Sequence, residues 1–150
     1  MKSFNLNRQS SLNRDVVFKI STNVENFNNI MPEYFKSLIV VKDNSSEKIV
    51  LEKISFLGQT ITVKTKHVIL PPNTHEVFIL SGPLKGTSFI ENYEISSNGT
   101  DIVISVNLEI NGLLKLIPFL NHFLAKKMSS VMNEFITSAE IYSKKNFIVN

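Results

Sequence analysis

The sequence lacks cysteine altogether, and none of its apolar runs is long. The absence of cysteine excludes disulfide bonds, thiolate metal sites and cysteine nucleophiles. No apolar run approaches the roughly 20 residues that a membrane-spanning helix needs. The longest, Gly112 to Leu124, is broken by Lys115, Pro118, Asn121 and His122. The N-terminus is polar and has no apolar signal core, so these absences together favour a cytoplasmic protein.

Glycine and histidine are scarce, and their placement limits the chemistry. The five glycines are spread singly, so no glycine-rich loop is present to hold a phosphate. The three histidines do not have the spacing of metal ligands on a helix, so we expect neither a metal site nor a cofactor. A net charge of +3 with scattered lysines, and without a stripe of basic and aromatic residues, does not favour binding to nucleic acid.

The abundant residues predict a globular domain whose interior is rich in apolar, phenylalanine-lined surfaces. The chain has 150 residues, of which 43% are hydrophobic, and this suits a single domain over residues 1–150 with one sizeable core. There are 11 phenylalanines and no tryptophan. Phenylalanine forms flat apolar surfaces that carry no polar group in need of a partner. The sequence does not specify an oligomeric state.

The C-terminal part predicts a long amphipathic helix from Gly112 to Lys145. Apolar residues recur there at steps of three and four, which is the spacing of one wide apolar face. They are Leu120, Phe123, Leu124, Met128, Val131, Met132, Phe135, Ala139 and Tyr142. Such a helix needs a large partner surface to bury that face. We expect the start of the helix, Gly112 to Leu124, to pack on the sheet; contact with a membrane surface, or gating of a cavity, is the alternative.

The rest of the chain predicts strands and two short helices. A first strand, Lys2 to Ser10, is followed by a helix capped by Asn13 and by a second helix, Val24 to Ile30. Six further strands are predicted at Tyr34 to Lys42, Glu47 to Phe56, Gln59 to Leu70, His75 to Ser81, Ser88 to Ile95 and Asp101 to Ile110. Short turns between them favour antiparallel neighbours.

Alternation in two of these strands predicts a sheet with one buried face. In the strand from Gln59 to Leu70, the residues on the buried face are Ile61, Val63, Thr65, His67 and Ile69. In the strand from Asp101 to Ile110, they are Ile102, Ile104, Val106, Leu108 and Ile110. In the strand from His75 to Ser81 the pattern leaves two phases open, because apolar residues occupy both.

Three local stretches resemble the START-like superfamily, which includes polyketide cyclases, coenzyme Q-binding proteins and plant pathogenesis-related allergens. They are the helix entry Leu12 to Phe18, the Gly-Pro turn Ser81 to Gly86 and the Gly-Thr hairpin Asn98 to Ile102. The resemblance covers the whole chain. It implies an α+β helix-grip fold: a seven-stranded curved antiparallel sheet, two short helices after the first strand, and a long C-terminal helix over the concave face.

We expect a hollow between that helix and the sheet, and candidate ligand-binding residues on both walls. They are Val63, His67, Phe89, Glu91, Tyr93, Val106, Leu108, Phe123, Val131 and Phe135. His67 and Glu91 are polar residues on apolar faces, so they could hold the polar end of a ligand. The alternatives are a solvent-exposed His67 near a strand end, and a Glu91 turned outward or paired with a lysine of a neighbouring strand.

The sequence favours a binding or transport protein for a hydrophobic small molecule such as a lipid, an isoprenoid, a quinone or a polycyclic aromatic. One alternative is an enzyme of the cyclase or dehydratase type, in which His67, Glu91 or Tyr93 moves protons in the same pocket. Binding ranks above catalysis because only one acid–base pair is recognisable. A further alternative is an interaction module that resembles toxin-like relatives acting on the ribosome.

Overall fold

One antiparallel sheet of seven strands is the largest part of the structure, a computed structural model that describes residues 2–147. The strands are β1 Lys2–Ser10, β2 Phe35–Asn44, β3 Glu47–Phe56, β4 Gln59–Leu70, β5 Thr74–Ile79, β6 Ser88–Ser96 and β7 Gly99–Leu108. Their order in the sheet is β1-β7-β6-β5-β4-β3-β2. After β1 the chain therefore crosses to the far edge of the sheet and returns strand by strand through short turns.

Two short helices make this crossing, as predicted. Helix α1 spans Arg14–Thr22, and a single 3₁₀ turn, Val24–Asn26, leads into α2, Phe27–Ile30. The side chain of Asn13 caps α1, because its Oδ1 accepts a hydrogen bond from the backbone N–H of Val16 at 3.0 Å. Both helices bury apolar residues under the C-terminal helix, α3, which spans Leu120–Phe147.

The predicted start of the long helix at Gly112 is wrong. Gly112–Leu116 forms a 3₁₀ helix, and Ile117, which precedes Pro118, has an extended backbone with φ −81° and ψ 117°. The proline ring disfavours helical geometry in the residue before it, so the regular helix begins only at Leu120. Packing of this segment on the sheet is also largely contradicted, because Leu113, Leu116 and Phe119 are exposed.

The predicted strand phases are confirmed, and the open phase of β5 is resolved. Alternate residues of β4 and β7 are buried as expected, and on β5 it is His75, Val77 and Ile79 that face the interior. Strand β5 ends at Ile79 rather than at Ser81, because the chain then bends into the turn around Gly82, whose φ is +83°. Strand β7 begins and ends two residues before the predicted bounds, at Gly99 and Leu108.

Buried apolar side chains form three clusters between the sheet and the helices. One lies beneath α1 and includes Tyr93 and Val106. A second joins α2, β3 and α3 through residues such as Phe27 and Ala139. The third holds Leu108 against the first turns of α3. Within residues 2–147, no helix combines the length and the apolar character that crossing a membrane requires.

Candidate ligand-binding site

A cavity of about 690 Å³ lies between the concave face of the sheet and helix α3. Strands β3 to β7, α2 and α3 all contribute to its wall. The lining is mostly apolar, with Phe27, Val63, Phe89, Ile104 and Met128 among the contributing side chains. The cavity persists because the long helix spans the curved sheet without filling the space beneath it.

Most of the predicted site residues border this cavity. Those that line it are Val63, His67, Phe89, Glu91, Tyr93, Phe123, Val131 and Phe135. Phe123 lies at the cavity edge, since its side chain is also largely exposed. Val106 and Leu108 share the predicted face but do not line the space. They are fully buried in the core clusters, and the first turns of α3 pack against Leu108 at that end of β7.

A continuous row of polar side chains crosses the sheet wall of the cavity; we call it the polar row, and it consists of Glu52, Thr65, His67, His75, Glu91 and Tyr93. At one end, His67 Nε2 lies 3.0 Å from Glu52 Oε2 and 3.1 Å from Thr65 Oγ1. The Thr65 hydroxyl also donates to the same Glu52 oxygen. All three of these side chains are buried.

The second half of the polar row begins with a direct contact between two imidazoles. His67 Nδ1 lies 3.0 Å from His75 Nε2, and the planes of the two rings differ by 17°. His75 Nδ1 in turn lies 2.5 Å from Glu91 Oε1, which also accepts a hydrogen bond from the Tyr93 hydroxyl at 3.3 Å. Four neighbouring strands are thereby connected by side-chain contacts along the wall of a largely apolar space.

Strand register explains why these residues meet. His75 on β5 lies directly opposite Glu91 on β6. His67 lies opposite Val77, two residues from His75, so the two histidines are diagonal neighbours on the same face. Glu52 lies opposite Val63, two residues before Thr65. Long side chains bridge such diagonal positions of an antiparallel pair.

Burial sets the protonation of several of these groups. Burial is the main reason that the pKa of His67 is lowered from its ordinary value of 6.5, although Glu52 opposes the shift. His67 is therefore uncharged at neutral pH. Burial also raises the pKa of Tyr93 well above its ordinary value and that of Tyr34, another lining residue, to about 12. Both phenols keep their protons, and Tyr93 can act as a donor to Glu91.

The structure rules out the alternative placements of His67 and Glu91, and it adds two residues to the candidate site. His67 is buried rather than wet by solvent, and Glu91 pairs with His75 rather than with a lysine. Glu52 and His75 were not among the candidates. A signal for Glu52 exists, because it alternates in phase with Val50 and Ile54 on β3. The corresponding signal for His75 is masked, since apolar residues occupy both phases of β5.

Comparisons with known proteins identify the architecture. No family model matches the sequence, and no curated protein does. Solved structures do: the aromatase/cyclase Zhui from Streptomyces sp. R1128 is similar over 99% of this chain and 98% of its own, with TM-score 0.80 and 10% identity. The allergen Ara h 8.0201 is similar over 97% and 99%, with TM-score 0.74 and 18% identity.

A third solved structure is a START superfamily protein from Mycobacterium smegmatis. The similarity covers 95% of this chain and 97% of that one, with TM-score 0.77 and 9% identity. At such identities the likeness concerns the fold. It agrees with the seven-stranded sheet, the two short helices after β1 and the long C-terminal helix. The chain therefore has the helix-grip fold of the START-like superfamily.

Proposed function

We propose that this protein binds a hydrophobic small molecule in the cavity between the sheet and α3. The observation that supports this is the cavity itself, whose volume of about 690 Å³ falls in the range of about 300–1,000 Å³ typical of small-molecule sites. Its walls carry apolar side chains from both layers of the fold. A ligand that leaves water for such a wall gains about 25 cal/mol for each Å² of apolar surface buried.

The polar row would set the orientation of the ligand. A few polar groups in an apolar pocket fix the orientation of a ligand, because each one forms a hydrogen bond only with a matching donor or acceptor of the ligand. Glu91 is suited to this role, since its side chain stays 18% exposed at the cavity wall while its partner His75 is almost fully covered. A cyclase or dehydratase that uses the same pocket stays a prediction, supported by the carboxylate–imidazole pairs.

Filling the cavity from one wall tests the proposal. In Val131→Phe, a ring replaces a side chain of α3 that lines the cavity, whereas Val103→Phe adds the same ring to the exposed outer face of β7. Titration with the neutral apolar dye Nile red should give saturable binding to wild type and to Val103→Phe. Val131→Phe should bind at least about tenfold more weakly. Equal affinity in all three proteins would place the dye outside the cavity and contradict the proposal.

A further inference from the structure

The contacts of the polar row determine how many protons it holds. Three of them each require one hydrogen between the paired atoms: Glu52 with His67, His67 with His75, and His75 with Glu91. A carboxylate carries no hydrogen, and a neutral imidazole carries one. The two imidazoles therefore supply two of the three hydrogens, and one added proton supplies the third.

This proton count leaves the row with a net negative charge. The two carboxylates contribute two negative charges, and the added proton removes one of them. A second imidazolium cannot form within these contacts, because two N–H groups would then face each other between His67 and His75. The lowered pKa of His67 acts in the same direction. Only a further proton on a carboxyl oxygen outside these contacts, or a bound cation, can make the row neutral.

No basic side chain of the described chain supplies that cation. Among residues 2–147, the ion-pair partners of Glu52 and Glu91 are His67 and His75, with no lysine or arginine. The other charged residues that line the cavity are Glu33, Lys127 and Glu134, all of them exposed. The lining thus holds four glutamates and one lysine, although the whole chain has a net charge of +3.

We propose that the ligand of this cavity is a cation: a molecule with an apolar body and a protonated amine that pairs with Glu91. The proposal rests on the proposed function, since it assumes that the cavity binds an apolar molecule. A net negative charge in an apolar, low-dielectric space is costly unless it is paired. An amine seated against Glu91 supplies the missing charge and donates hydrogen bonds to the carboxylate, while the apolar body contacts the lining phenylalanines.

Three ligands with the same apolar body test the choice of charge: 2-naphthylmethylamine, 2-naphthylmethanol and 2-naphthoic acid. Each is titrated against protein that carries Nile red, and displacement of the dye gives its affinity. At neutral pH the amine should bind at least about tenfold more tightly than the alcohol, and the acid more weakly than the alcohol.

The role of Glu91 is tested by Glu91→Gln, with Glu94→Gln as the matched control. Both residues lie on β6, but Glu94 is on the exposed outer face. In Glu91→Gln the amine should lose its advantage over the alcohol, because the amide carries no charge to pair with the protonated amine. Glu94→Gln should behave as wild type. Glu52→Gln removes the other carboxylate of the row and should also reduce the preference, so the test holds if Glu91→Gln does not fold.

The outcomes separate this proposal from the proposed function. If the alcohol binds and the amine has no advantage, or if its advantage survives in both glutamine variants, the cation proposal is wrong while binding of apolar molecules stands. If the acid binds best, the sign of the charge is wrong. If none of the three ligands displaces Nile red from wild type, the proposed function itself fails, and the cation proposal fails with it.

Discussion

Replacing Leu108 and Phe135 by alanine, one at a time, distinguishes a solid core from the wall of an open cavity. Leu108 is 0% exposed and packs with residues such as Leu120 and Leu124, so its truncation leaves a closed hole. Substitutions of this kind cost about 3–5 kcal/mol of unfolding free energy. Phe135 borders a space of about 690 Å³ that is already open, so its truncation enlarges a cavity rather than creating one.

The cost at Phe135 then comes mainly from its ring contacts. Its ring centroid lies 5.2 Å from that of Phe27 and 6.5 Å from that of Phe35. Each such pair contributes about 0.5–1.5 kcal/mol, so we expect Phe135→Ala to cost about 1–3 kcal/mol. This is less than Leu108→Ala, although the phenylalanine is the larger residue.

Urea unfolding measures both costs, provided that the dependence of free energy on urea has the same slope in each protein. In thermal melts, each kcal/mol should correspond to about 2–4 °C for a chain of this size. If Phe135→Ala loses as much stability as Leu108→Ala, then Phe135 lies in a filled core, and the argument for an open cavity at that point of α3 is wrong.

Two further predictions concern the polar row and the edge of the sheet. His67→Phe removes the partner of the buried Glu52 and should cost about 1–3 kcal/mol near neutral pH. Because the pKa of His67 is lowered from 6.5 in the folded protein, the unfolded chain binds more protons, and wild-type stability should fall as the pH drops below 6.5. Urea unfolding between about pH 7 and pH 5 should show a shallower fall in the variant, and an unchanged fall would contradict the role of His67. Gly99→Ala should lower the stability of the protein more than Gly112→Ala. The methyl group added at Gly99 would lie 2.1 Å from the Ser10 carbonyl oxygen, whereas no atom lies within 4 Å of the one added at Gly112. Thermal melts that rank the two variants in the opposite order would refute this.

Local patterns were sufficient to predict most of the fold. The bounds of β1, β3 and β4 agree with the prediction, because alternation and turn residues mark both ends of each strand. The Asn13 cap was also recognisable from the sequence. The start of α3 is hidden in the sequence because apolar spacing continues through Gly112 to Leu124, whereas Pro118 disfavours helical geometry in the residue before it.

The candidate site was only partly predictable, because its chemistry depends on contacts between strands. Alternation placed His67 on an interior face, and Glu91 was proposed from its apolar neighbours. The link between them passes through His75, whose side of the strand the pattern left open. Glu52 follows a clear alternation, and the two-residue turn between β3 and β4 fixes the register that places it near His67, so this pairing was open to prediction from the sequence.

Locating a bound apolar molecule within the fold tests the central claim most directly. With 2-naphthylmethanol bound to isotope-labelled protein, nuclear Overhauser effects between ligand protons and protein methyl groups report which residues lie beside it. The account predicts contacts to Val63, Met128 and Val131, which line the cavity from both walls. Contacts confined to Leu113 and Leu116, which are exposed in the segment before α3, would place the ligand on the surface and contradict the account.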